Sequence, residues 1–195
     1  MKKLLLLLLP VALIFSACTK EKSLENNGNA PNPGGGGGGN GGGGGGGGNA
    51  TYFMSAKVDG VAKTFNEDLA AIKEDTLGVT MYTIAGNASA DPNNLEGLLI
   101  SIGGQGSLKT GTYTVSNLTA GYVVIGLYVN ADASKQYFTF TGDSSSDPFT
   151  VTITSVSATE VAGTFKGKLF ESNGTPNPSG PSITITEGSF KAKIQ

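Results

Sequence analysis

Carboxylates, lysine amines and hydroxyls are the groups through which this chain could do chemistry, because it contains no histidine, arginine or tryptophan. Without histidine, a Ser-His-Asp triad, a Cys-His pair and a histidine-ligated zinc site are all excluded. A pair of carboxylates could still serve a glycosidase. The acids that could form such a pair fall in segments whose composition indicates turns or strand ends, where carboxylates are ordinarily solvated or cap the turn. They are Asp59, Asp132, Asp143, Asp147, Glu160, Glu171 and Glu187. We therefore expect a protein that is not an enzyme, with a carboxylate-based hydrolase as the weaker alternative.

One acidic loop has the atoms of a calcium site. The segment 143–147 reads Asp-Ser-Ser-Ser-Asp, which gives two carboxylates and several further oxygens. Calcium takes six to eight oxygen ligands, so the composition suits it. The segment lacks the Asp-x-Asp-x-Asp-Gly spacing and the distant glutamate of a calcium-binding loop. We expect a solvated loop and no metal or cofactor, and calcium binding remains the alternative.

Cys18 is the only thiol in the chain and follows an apolar leader. Lys2 and Lys3, the apolar run 4–15 and the small residues Ser16 and Ala17 form the three regions of a secretory signal. The end of the leader, Phe-Ser-Ala-Cys, resembles a bacterial lipobox, in which the cysteine is acylated and becomes the new N-terminus. Phe15 stands where leucine is usual. A membrane-spanning helix is not expected, because the run is short of the ~20 residues that a span requires.

The residues after Cys18 bear on the membrane that would hold the anchor. Thr19 replaces the aspartate that retains some lipoproteins at the inner membrane, and the charged segment 20–22 loosely resembles export tags of Bacteroidota surface lipoproteins. We therefore expect the outer membrane, on its periplasmic or its surface face.

Composition divides the chain into three parts. We assign 1–17 to a lipoprotein signal peptide, 18–50 to a lipidated, disordered tether and 51–195 to a single β-domain. Residues 34–48 are glycine except for Asn40, so they have no side chains to bury and we expect a random coil. The third part carries nine lysines, thirteen acids and no arginine, which argues against nucleic acid as a partner.

Hydrophobic alternation with a period of two recurs throughout 51–195 and predicts half-buried antiparallel strands. The segment 122–129 is almost wholly apolar and predicts a central strand with both faces covered. Asn66 to Asp75 could instead form one or two helical turns, although we favour a strand. The predicted strands are 52–58, 61–65, 69–74, 79–86, 96–102, 111–116, 122–130, 136–141, 149–156, 160–170, 182–186 and 189–194. Many short strands predict an all-β fold, either an antiparallel two-sheet β-sandwich or a meandering, lipocalin-like β-barrel.

Two dipeptides mark turns within this pattern. Asp59-Gly60 separates two short apolar runs and predicts a two-residue hairpin. Glu187-Gly188 either separates the last two strands or forms a bulge within one long strand.

Several of these strand and turn patterns together resemble a known family. The opening 54–60 (MSAKVDG), the middle 111–115 (GTYTV) and the ending 149–190, with FTVTIT, VAGTF and ITITEGSF, are similar to a domain of unknown function in small Bacteroidota lipoproteins. The likeness extends over 51–195. It implies an all-β fold and an export route, and it brings no activity, ligand or catalytic residue.

The sequence as a whole predicts a membrane-anchored, extracytoplasmic and non-catalytic binding or interaction module. It does not identify the ligand, for which a protein or a glycan is the candidate. The alternative is a lipocalin-like carrier of a small apolar ligand, in which Tyr122, Tyr128, Phe138 and Phe140 are the candidates to line a cavity. Asp75-Thr76-Leu77 resembles the O-glycosylation site of exported Bacteroidota proteins, with Thr76 as the acceptor.

Overall fold

The computed structural model describes residues 52–115, 121–140, 147–172 and 180–195, and the described residues form strands, turns and bends without a helix. The expected all-β class is therefore confirmed. No helix in these four ranges is long and apolar enough to cross a membrane. The eleven strands are β1 (Phe53–Val58), β2 (Val61–Thr64), β3 (Glu67–Thr76), β4 (Val79–Asn87), β5 (Gly97–Gln105), β6 (Gly111–Thr114), β7 (Tyr122–Val129), β8 (Gln136–Phe138), β9 (Thr150–Val156), β10 (Glu160–Glu171) and β11 (Ser182–Lys193).

All eleven strands belong to one hydrogen-bonded sheet, and every strand pair in it is antiparallel. The main path runs β2-β1-β11-β10-β8-β7-β5-β4-β3, and a branch adds β9 and then β6. The branch arises because β10 is twelve residues long and has two successive neighbours. Its residues 161–166 pair with β9, and its last two residues pair with β8. The two sheets expected for a sandwich are therefore joined into one.

The sheet is strongly curled. Ala71, on the last strand of the main path, forms a parallel bridge with Ile194, just beyond β11. Its carbonyl also accepts a hydrogen bond from the Gln195 backbone amide at 2.9 Å. Bulges help to explain this curl, because an extra residue in one strand bends it and increases its twist. In β11 the bulge lies at Glu187, which has a φ of 52°, and the pairing with β10 shifts beside it.

The concave face of the sheet is filled by apolar side chains. Its largest fully buried residues include Phe65, Phe149 and Phe190. Gly126 gives Phe149 the space it occupies, since a Cβ at that glycine would lie 2.9 Å from the ring. This packing follows from the period-two alternation, which places every second residue of a strand on the same face.

The predicted strands are observed, with a few instructive differences. Of the segment from Asn66 to Asp75, all but Asn66 belongs to strand β3, as we favoured. Asp59-Gly60 forms the predicted two-residue turn, with both φ angles positive as a type I′ turn requires. Glu187-Gly188 is a bulge within β11, which was the second of the two interpretations. Strand β7 is central, with β5 and β8 on its two sides, but Val123 is 48% exposed, so the prediction that both faces are covered is wrong at that residue.

Candidate binding site

A solvent-open cleft of about 190 Å³ lies at the end of the sheet where β5 ends and β7 begins. Three tyrosines line it: Tyr82 from β4, Tyr113 from β6 and Tyr122 from β7. Tyr82 and Tyr122 meet there because β4 and β7 begin at the same end of the sheet at which the antiparallel β5 finishes. Tyr113 joins them through its ring contact with Tyr122. We call this feature the tyrosine cleft.

Hydrogen bonds to the backbone hold two of the three rings in place. The Tyr113 hydroxyl donates to the carbonyl of Lys109 at 2.8 Å and accepts from the Lys109 amide at 3.2 Å. The Tyr122 hydroxyl accepts from the Thr114 amide at 3.3 Å. The two rings meet edge to face, with centroids 4.9 Å apart and planes at 75°. Both rings are therefore oriented by the protein before any ligand arrives.

Glycines border the cleft and bring the backbone close to the rings. A Cβ at Gly104 would lie 3.2 Å from the Cβ of Tyr122 and from the carbonyl oxygen of Gly121, so a larger residue would crowd the ring. Gly106 and Gly121 have φ angles of 80° and 72°, which most other residues adopt only with strain. The sequence signal for this site is the cluster 103–106 (Gly-Gly-Gln-Gly), which falls between the predicted strands 96–102 and 111–116.

The electrostatic character of the cleft is weak. Lys109 is the one charged residue among the described residues that line it, and no carboxylate is present there. The neutral polar side chains are Thr80, Gln105 and Ser107. Among the described lining residues there is thus no pair of carboxylates of the kind that a two-carboxylate hydrolase uses.

A buried polar cluster lies at the opposite end of β5 and β7. Glu96, which precedes β5, accepts a hydrogen bond from the Tyr128 hydroxyl on its Oε1 atom at 2.5 Å. The same oxygen is 2.5 Å from the Nζ atom of Lys63 on β2. The side chain of Glu96 is 11% exposed and that of Lys63 28% exposed. We name this group the Glu96 cluster.

The surroundings of Tyr128 favour its neutral form. Burial raises the pKa of the Tyr128 hydroxyl well above its ordinary value, and the hydrogen bond to the Glu96 carboxylate raises it further. The Tyr128 ring packs against Phe65 edge to face at 6.4 Å and against Tyr137 at 6.1 Å. The cluster thus connects β2 to β5 and β7 through one carboxylate, and its groups are bonded to one another.

Glu171 differs from the solvated acid that the sequence predicts. Its side chain is only 14% exposed, and it lies opposite the buried Tyr137 in the β8–β10 pair. One carboxylate oxygen is buried without a hydrogen bond, and the Nζ atom of Lys135 lies 3.6 Å away. The expectation fails because Glu171 still belongs to β10, where side chains alternate between faces, and this position faces inward.

Other acids are placed as expected for turns and strand ends. Asp59 accepts a hydrogen bond from the Thr184 amide at 2.7 Å, and Asp132 accepts one from the Ser134 amide at 2.9 Å. Glu187 forms an exposed ion pair with Lys57. Glu160 accepts from the Tyr52 hydroxyl at 3.0 Å.

The remaining sequence predictions have mixed outcomes. Cys18 and most of the 143–147 loop lie outside the described residues, and no group of three or more acidic or other metal-binding side chains occurs within the described ones. Thr76 is exposed and ends β3, beside the turn residue Leu77, which is 98% exposed. O-glycosylation of Thr76 stays a prediction.

The aromatic residues proposed to line a cavity are divided between different environments. Tyr122 borders the tyrosine cleft, whereas Tyr128 is buried in the core. Phe138 and Phe140 are half-buried. Phe138 lies on the opposite face of β8 from the core residue Tyr137, which the sequence analysis did not select. These four side chains therefore do not line one common cavity.

No protein-family model matches the chain, and no curated protein or solved structure is significantly similar to it.

Proposed function

We propose that this chain is a lipid-anchored lipoprotein of the outer membrane whose β-domain binds a ligand through the tyrosine cleft and catalyses no reaction. The observation that supports the binding role most strongly is the pair of tyrosines that backbone hydrogen bonds fix at the cleft. Groups that are oriented before binding lose less conformational entropy when the ligand arrives, and this favours affinity.

The anchoring part of the proposal rests on the sequence. The lipobox-like end at Cys18 and the charged residues after it support acylation and export. The glycine-rich segment supports a tether whose root-mean-square reach is about 30 Å. The resemblance to small Bacteroidota lipoproteins agrees with this assignment, and we propose that the chain is a member of that family.

The non-catalytic part rests on where the acids lie. The described lining of the cleft has no carboxylate, and Glu96 is occupied by Lys63 and Tyr128. A hydrolase of the two-carboxylate type needs both acids free beside the substrate. Neither Glu96 nor Glu171 lies in the cleft.

We further infer that the curl of the sheet is closer to a barrel than to a sandwich. The continuous path from β10 to β3 and the contact of Ala71 with the chain end support this description. A carrier for an apolar ligand is less favoured, because core side chains such as Phe65 and Phe149 occupy the concave face.

Filling the cleft tests the binding role. Ser107 is exposed and lines the cleft, so Ser107→Phe should obstruct it with little effect on the core. Ser155→Phe, at an exposed position of β9 outside the cleft, is the matched control. The full chain is screened by saturation-transfer NMR against a panel of monosaccharides, nucleosides, amino acids and aromatic acids.

We expect at least one compound to bind the parent chain and the Ser155→Phe control and to lose binding to Ser107→Phe. If the bound compounds are unaffected by Ser107→Phe, or if no compound binds, the proposed role of the cleft is wrong.

A further inference from the structure

We propose that the tyrosine cleft takes a single neutral sugar ring, either free or at the end of a glycan. This inference rests on the proposed binding function and specifies the class of its ligand. Three properties of the cleft support it: its size, its aromatic surface and its charge.

The volume of the cleft restricts the ligand to about one ring. Sites for drug-sized molecules occupy roughly 300–1,000 Å³, whereas this cleft offers about 190 Å³. The cleft is open to solvent, so further residues of a longer glycan can extend away from the protein. A flexible peptide or an extended lipid chain would leave most of its length outside.

The surfaces of the cleft match the two kinds of surface on a sugar ring. A pyranose has C–H groups on its faces and hydroxyls around its rim. The rings of Tyr113 and Tyr122 are half-buried and fixed, and the parts that line the cleft provide apolar surface. Thr80, Gln105 and Ser107 provide polar side chains around them. Such an arrangement suits a ring with an apolar face and a polar edge.

The charge of the cleft argues for a neutral ligand. No carboxylate is among the described lining residues. Asp75 lies beside the cleft, where it accepts a hydrogen bond from the Thr80 hydroxyl, but it is already paired with Lys73 and so is not free for an ammonium group. The one cation among those lining residues, Lys109, is exposed. The chain has no arginine, the residue that usually recognises phosphate through two hydrogen bonds at once. We therefore expect binding to change little when salt is added.

Tyrosine fluorescence of the full chain provides the test, because the protein has six tyrosines and no tryptophan. The probes are glucose, galactose, mannose and N-acetylglucosamine, with adenosine and benzoate as non-sugar rings. Tyr122→Leu removes the aromatic surface, and Tyr122→Phe keeps it. Tyr52→Phe, outside the cleft, controls for the loss of one fluorophore.

We expect at least one sugar to give a saturable change with a dissociation constant in about the millimolar range. Tyr122→Leu should weaken that binding by roughly two- to tenfold, because an aromatic contact contributes roughly 0.5–1.5 kcal/mol. Tyr52→Phe should retain it, and Tyr122→Phe, which keeps the ring but loses the hydrogen bond to the Thr114 amide, should fall between the parent and Tyr122→Leu. Ser107→Phe should abolish binding, which keeps the test valid if Tyr122→Leu does not fold.

The outcomes separate this inference from the proposed function. Binding of adenosine or benzoate, but of no sugar, that Ser107→Phe abolishes would overturn the sugar assignment and leave the cleft as a binding site. Sugar binding that Ser107→Phe does not affect would overturn both.

Discussion

Lys63, Glu96 and Tyr128 form a cluster in which each polar group depends on the others. Glu96 is too buried to be solvated fully, and its Oε1 atom accepts both the ammonium and the hydroxyl. A buried charge is stable only when it is paired, and removal of one partner leaves the other exposed to the full desolvation penalty. The cluster should therefore respond to single and double substitutions in different ways.

Glu96→Gln should destabilise the protein by about 1–2 kcal/mol, because it leaves the Lys63 ammonium without its counter-ion at a partly exposed site. Lys63→Met should have a similar cost, since it leaves Glu96 charged. The double variant should cost less than the sum of the two, because neither charge is then left unpaired. Urea denaturation of the full chain measures all four proteins, and additive losses would contradict the interaction.

Tyr128→Phe should change how stability depends on pH. The folded protein holds the pKa of Tyr128 above its ordinary value of 10.0. Above pH 10 the unfolded chain therefore releases the phenolic proton while the folded chain retains it, and stability falls by about 1.4 kcal/mol per pH unit until the folded pKa is reached. The phenylalanine variant lacks this contribution.

We thus expect the parent to be more stable than Tyr128→Phe below pH 10, by about 1–2 kcal/mol for the hydrogen bond to a charged group. The difference should shrink as the pH rises above 10. Urea midpoints at pH 8, 10 and 11 measure it, and a difference that stays constant over this range would refute the role assigned to Tyr128.

The Glu96 cluster could not have been found from the sequence. Glu96 follows a loop rich in asparagine, and an acid in such a position is ordinarily solvated. Its burial depends on Lys63 and Tyr128, which are distant along the chain and come together only when the sheet curls. Asp59 is the opposite case, because its turn is a local feature and the dipeptide alone predicts it.

At the scale of elements, the strands were predictable and their neighbours were not. Alternation of apolar and polar residues fixes which face of β9 or β11 is buried, but every strand with the same alternation is an equally good partner. The branch at β10 depends on the length of that strand, and the bulge at Glu187 depends on pairing with β1 and β10 at once. Both are properties of the assembled sheet.

The β3–β4 turn has a residue that its geometry disfavours. Leu77 has a φ of 53° and is 98% exposed, and Gly78 follows it with a φ of 80°. Asparagine before glycine is preferred in such a turn because it tolerates the left-handed conformation.

Leu77→Asn should therefore stabilise the protein by about 0.5–1 kcal/mol and raise the melting temperature by about 2–3 °C. Leu77→Ala is the control, because alanine removes the exposed apolar side chain but is still strained. Calorimetry of the three proteins should place the alanine variant near the parent. An equal gain for both variants would show that exposure, rather than backbone strain, is what matters at this turn.

Gly86 marks a close approach of the segment after β2 to strand β4. A Cβ at this residue would lie 2.1 Å from the Phe65 carbonyl oxygen, which is backbone and has little freedom to move. Gly97 on the adjacent β5 is a matched site, since its nearest contact is the Asn87 side-chain oxygen at 3.1 Å.

Gly86→Ala should destabilise the protein by about 1–3 kcal/mol or more, whereas Gly97→Ala should be close to neutral. Chemical denaturation distinguishes them. Similar stabilities for the two variants would mean that the Phe65 backbone can move away to accept a methyl group at residue 86.

At the scale of the whole molecule, the two ends of the sheet differ in their proposed roles, one structural and the other in ligand binding. The Glu96 cluster connects strands at one end of the sheet. The tyrosine cleft is open to solvent at the other end. Under the proposed lipid anchoring, the glycine-rich N-terminal segment would let the domain reorient relative to its anchor. A weak site for a single sugar ring gains from this arrangement, since many tethered copies on one surface bind a repetitive glycan with higher avidity than any single site.

The proposed membrane localisation depends on Cys18. If its thiol is acylated, cells supplied with an alkyne-bearing fatty acid should incorporate the label into the parent chain, and Cys18→Ala should lose it completely. Thr19→Ala is the matched control, because it changes the adjacent residue and keeps the thiol.

Two or more acyl chains hold a protein stably at a membrane, so the labelled parent should remain in the membrane fraction after a high-salt wash. Membrane fractionation alone is ambiguous for Cys18→Ala, because a leader that is not cleaved would also retain the protein. Label on Cys18→Ala would show that Cys18 is not the acylated residue, and an unlabelled parent in the soluble fraction would show that the leader directs secretion without a lipid anchor.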